Sequence, residues 1–60
     1  MKRTRDDIIM DLVDLNSAVN LALRSAAMND IKLVENHMLD VECAVRKTEI
    51  DLDMIEHPND

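Results

Sequence analysis

The sixty-residue chain contains no glycine, no aromatic residue, one cysteine and one proline. Each absence removes a class of structure or chemistry. A single thiol, Cys43, cannot close a disulfide within the chain, so the usual staple of very small domains is missing. Without glycine there is no loop of the kind that cradles phosphates. Without Phe, Tyr or Trp, the main strand formers are missing. The one proline, Pro58, lies third from the end and interrupts nothing before it. The apolar runs Ile8–Met10 and Ala26–Met28 are three residues long, far short of a membrane span.

Positive charge is also scarce. Seven Lys and Arg stand against thirteen Asp and Glu, a net charge of −6. Binding to nucleic-acid backbone or to an anionic membrane needs the opposite surplus, so neither is expected as a partner. The basic start, Lys2-Arg3-Thr4-Arg5, runs into Asp6 and Asp7 rather than an apolar stretch, so a secretory signal is not expected. One free thiol and five methionines suit a reducing cytoplasm, the expected location.

What remains is a helix-forming sequence. Leu, Ala, Met, Glu, Lys and Arg are frequent, and hydrophobic residues make up 47%, enough to argue against disorder. Apolar residues recur at Ile8, Leu12, Leu15, Val19, Ala22 and Ala26, with spacings of four and three in strict alternation. That is a heptad seam on a helix from about residue 5 to 28. Thr4 is its expected N-cap, with Asp7 completing a capping box. A second seam, Ile31, Val34, Met38, Val41, Val45, Thr48, Leu52 and Ile55, predicts a helix over about 30–56. Residues 1–4 and 57–60 are the expected flexible ends of this single domain.

The phase of the two seams predicts a turn. Continued past Ala26, the first seam would bury Asn29, Asn36, Asp40, Lys47 and His57. The second seam starts instead five residues after Ala26. Asn29-Asp30 falls in the break, and both are good N-caps. Charge predicts the orientation: Lys2, Arg3 and Arg5 lie at one end of the chain, and Glu49, Asp51, Asp53 and Glu56 lie near the other. An antiparallel hairpin brings them together and relieves the unfavourable placement of acids at a helix C-terminus. The expected fold is therefore an all-α antiparallel helical hairpin.

A hairpin alone leaves large apolar residues off both seams. Ile9, Val13, Leu21, Leu23, Leu39, Ile50 and Met54 are the expected oligomer or partner interface, since contiguous exposed apolar surface marks an interaction site. The simplest closure is a twofold homodimer forming a four-helix bundle, with the first helix at the contact. Glu35, Glu42, Glu49 and Glu56 repeat every seven residues directly after a seam position. They are the expected acidic, partner-facing edge, although charges flanking a seam are more often simply solvated.

Candidate chemistry is sparse. His37 and His57 occur in no Glu-x-x-His motif and at no metal-ligand spacing, so no metal or other cofactor is expected. Cys43 has Lys47 one turn on but Glu42 beside it, and packing explains it better than reactivity. Ser17 and Ser25 have no histidine nearby in sequence, so no nucleophilic catalysis is expected. The expected function is that of a small acidic, non-enzymatic interaction or regulatory protein acting as a homo-oligomeric bundle and binding another protein. A phage or mobile-element accessory role is expected by association with other tiny acidic helical proteins. Two alternatives are a DNA-mimic inhibitor of a nucleic-acid-binding protein and a structural subunit of a larger complex.

Overall fold

A computed structural model describes residues 2–57. It contains two helices, α1 (Arg5–Ala27) and α2 (Ile31–Glu56), packed antiparallel along their length. The expectation of frayed ends at Met1 and at 58–60 lies outside the described residues. Thr4 starts α1 as expected: its backbone N–H donates to Asp7 Oδ2 at 2.8 Å, and its hydroxyl lies 3.3 Å from the same oxygen. Asp7 and Ile8 donate back to the Thr4 carbonyl.

The turn is built without glycine. Asn29 takes φ 59°, the left-handed region, where Asn is the best-tolerated residue after Gly. The Asp30 N–H bonds the Ser25 carbonyl and the Asn29 N–H bonds that of Ala26, both at 2.9 Å. This pair of bonds is a Schellman closure of α1. Asp30 also opens α2, its carboxylate accepting from Leu33 N–H at 3.2 Å. One residue therefore closes α1 and caps α2, and a two-helix chain needs no longer loop.

The line of contact differs from the expected one. Lettering each seam as a heptad, with a and d as its members, puts Leu12, Val19 and Ala26 of α1 and Ile31, Met38, Val45 and Leu52 of α2 at position a. Ile8, Leu15, Ala22, Val34, Val41, Thr48 and Ile55 fall at d. The hairpin was expected to bury a and d between its two helices. It closes instead on d, except at exposed Ile55, together with the next position round the helix, g. Asp11, Ala18, Ser25 and Asp51 are buried at g, and His37 and Ala44 are half-buried there. Every a residue stays exposed.

Side-chain size explains the shift. Ala18, Ala22, Ser25, Ala44 and Thr48 let the two backbones approach closely, whereas a seam of Leu, Val and Met would hold them apart. The buried hydroxyls cost little, because Ser25 donates to the Leu21 carbonyl at 2.9 Å and Thr48 to that of Ala44 at 2.8 Å. Helix dimensions place the a residues of both helices on the same side of the hairpin. At 100° per residue each a position lies about the same angle from the contact line, and antiparallel packing turns both rotations toward one face. The molecule is thus a thin rod, 46 × 17 × 13 Å, with one continuous apolar face. Its radius of gyration is 14.0 Å, against about 10 Å for a compact sixty-residue globule.

Candidate interaction surface

The apolar face is the largest chemical feature of the hairpin. Leu12 and Val19 from α1 and Met38, Val45 and Leu52 from α2 lie exposed along it, with half-buried Ile8, Leu15, Val34 and Val41 as its floor. Among the described residues no large side chain is fully buried. The core proper consists of Ala18 and Ala22. With its large side chains at most half-buried, the hairpin removes less apolar surface from water than a closed core would.

Area gives the scale of this exposure. The accessible surface is 4979 Å². A folded monomer of this mass typically exposes about 4,000 Å². The excess, about 1,000 Å² per chain, is the share each partner contributes to a standard or slightly larger protein–protein interface.

The seven apolar residues expected to form the interface are all exposed, but they do not form a single patch. Ile9 and Leu23 occupy position e of α1 and border the apolar face. Val13 and Leu39 lie on the backs of their helices, Ile50 on the outer side of α2, and Leu21 and Met54 on the side opposite the apolar face. The a residues are the surface that sequence reasoning missed, having been assigned to the hairpin's own core. The signal was present: small residues recur seven apart at Ala18 and Ser25, and mark the side on which a second helix comes close.

The expected acidic edge is physically one edge. Glu35, Glu42, Glu49 and Glu56 are all exposed, all at position e of α2, and border the same apolar face. Val41, Glu42, Val45, Arg46 and Glu49 line a groove of about 450 Å³ there.

Toward its open end the hairpin carries an ionic cluster in which two buried carboxylates meet two cations reaching solvent. Asp11 and Asp51 are each 3% exposed. Lys47 Nζ lies 2.5 Å from Asp11 Oδ1 and 3.7 Å from Asp51 Oδ2, and Arg3 Nε donates to Asp51 Oδ1 at 2.9 Å. The expected attraction between the basic start and the acidic end is therefore realised by Arg3 and Asp51. Asp11–Lys47 is a second cross-helix link. Hydrogen bonding with the Asp51 side chain and with Lys47 holds Asp11 below its ordinary value, against the opposing effect of burial. Its hydrogen bond to Asp11 raises Lys47 above the ordinary lysine value. Asp11 Oδ2 is buried without a hydrogen-bond partner. A cluster of this kind adds little net stability, but it favours the helix register in which its partners meet.

The remaining candidates are scattered. His37 faces α1 half-buried, its Nδ1 3.9 Å from Asp40 Oδ2. His57 Nε2 is 3.9 Å from Asp53 Oδ1. Cys43 is exposed, beside a groove of about 180 Å³ lined by Asp11, Asp14, Ala44 and Lys47. Among the described residues no three His, Cys, Asp or Glu side chains converge as a metal site, and no helix is long and apolar enough to cross a membrane. No protein-family model, curated protein or solved structure matches the chain.

Proposed function

We propose that this chain is a small acidic, non-enzymatic interaction protein that works as a homodimer of helical hairpins and regulates another protein by binding it. The observation that carries this reading is the continuous face of a residues together with the absence of any fully buried large side chain among the described residues. A second copy covers that face with like residues and turns two incomplete seams into the a/d core of a four-helix bundle. The apolar residues on the outer sides, Val13, Leu39 and Ile50, stay exposed in such a bundle and are the surface for a different protein.

Size-exclusion chromatography with light scattering tests the first half. A mass twice the 6.9 kDa chain is the expected result, and a stably folded monomer overturns it. Among alternatives, an inhibitor imitating DNA is the weaker. The Glu edge presents one charge per seven residues, about 10 Å apart by helix rise, far sparser than the one charge per ~1.7 Å of duplex axis.

A further inference from the structure

We infer that the second copy docks with its α2 against α1 of the first, related by a twofold axis parallel to the helices, and that the glutamate edge of α2 sets this arrangement. The inference rests on the homodimer reading above and specifies its geometry.

Two twofold arrangements bring the apolar faces together with antiparallel neighbours throughout. In one, the axis crosses the helices, so α1 covers the partner's α1 and α2 covers the partner's α2. In the other, the axis runs along the helices, so each α1 covers the partner's α2. Both bury the same a residues, so the a positions do not choose between them. The e positions do, because in either case they line the seam between subunits.

On α2 those positions are Glu35, Glu42, Glu49 and Glu56, all exposed. On α1 they are Ile9, Asn16 and Leu23, also exposed, with Lys2 lying three residues before the helix starts. The crossing axis would set four glutamates against four glutamates along a partly desolvated seam, where like charges repel most. The parallel axis sets Glu35, Glu42 and Glu49 against one asparagine and two aliphatic side chains.

The register also fits. Asp11 and Lys47 meet across the hairpin, and the turn is centred on Asn29. Counting from either mark, Glu49 stands level with Ile9, Glu42 with Asn16 and Glu35 with Leu23. A twofold axis along the rod keeps those levels between subunits. The Asn16 amide then meets the partner edge at Glu42. Ile9 and Leu23 lie against the methylene stems of the other two glutamates, which keep their charged heads in water. The glutamate edge thus selects one pairing of two that are otherwise equivalent, as e-position charges do in other helical bundles.

Thiol crosslinking in a Cys43→Ser background tests this. The variants are Asn16→Cys, Glu42→Cys and the double substitution, each treated with a short bis-maleimide, with light scattering recorded beforehand. Asn16 and Glu42 lie on opposite outer edges of one hairpin, so a short linker joins them only between subunits. The expected result is a covalent dimer from the double variant and uncrosslinked chain from either single one. Covalent dimer from Glu42→Cys or Asn16→Cys alone overturns the arrangement, and so does a dimeric double variant that does not crosslink. A monomer by light scattering in the Cys43→Ser parent defeats the homodimer reading itself. The pair Leu23→Cys/Glu35→Cys repeats the test at the turn end and decides it if the first double variant does not fold.

Discussion

Leu12 and Leu39 are chemically identical and both exposed in the hairpin, at 48% and 60%, yet they should respond oppositely to truncation. Leu12 lies on the apolar face, and Leu39 on the back of α2. Leu→Ala removes roughly three methylene equivalents, worth about 2.4 kcal/mol on full burial. About half of the Leu12 side chain is free in the hairpin, so about 1.2 kcal/mol of that comes from the second subunit. Twofold symmetry counts it twice, giving about 2.4 kcal/mol per dimer and a dissociation constant raised roughly 50-fold. Helix propensity does not confuse the comparison, because alanine is the better helix former at both sites. Leu39→Ala removes surface that the bundle leaves wet, so its dissociation constant should stay within about twofold of the parent. Sedimentation equilibrium over a dilution series measures both. Equal weakening by the two substitutions would refute the assignment of the face, and so would an unchanged constant for Leu12→Ala.

Further outcomes follow from the turn, the core and the ionic cluster. Asn29→Ala places a Cβ-bearing residue without a local hydrogen-bonding side chain at φ 59° and should cost about 1 kcal/mol, whereas Asn29→Gly should be neutral or better; urea unfolding of both reads the difference. Thr48→Val replaces a buried hydroxyl bonded only within its own helix and should leave stability unchanged or raise it by about 0.5 kcal/mol, seen in the same titration. The thermal midpoint should be level between about pH 5 and 9. Asp11 is held below its ordinary 3.8, so its ionised form stabilises the fold above that value and the contribution is lost as pH falls through the lower folded value. Lys47 is raised above 10.5, so its contribution is present below that and lost as pH rises through the higher folded value. Asp11→Asn should flatten the acid limb measured by circular dichroism, and an unchanged acid limb would remove Asp11 from the cause.

Much of this protein was legible from residue order. Two unbroken 3–4 repeats gave both helices to within a residue or two at each end, because a heptad seam has no strand counterpart. The five-residue offset between the repeats gave the turn, and Thr4 with Asp7 gave the first cap. Even the missing glycine was no obstacle, since Asn29 accepts the left-handed conformation that closes α1. The glutamates at 35, 42, 49 and 56 were recognisable as one edge because seven residues bring a helix nearly back to the same side.

The side of each seam that meets the other helix was not legible. A heptad states which residues avoid water, but not whether they do so within one hairpin or between two. That is decided by how closely two backbones approach, which depends on Ala18, Ser25 and Ala44 at positions that a hydrophobicity pattern passes over. Asp11 belongs to neither seam, and only the packed hairpin buries it against Lys47 and Asp51. Residue order by itself therefore determined two helices, their ends and their antiparallel return, all consequences of local periodicity and capping. Tertiary structure alone decided that the hairpin closes on its small residues and turns its large ones outward, because that choice depends on the distance between helices, a quantity no single helix carries.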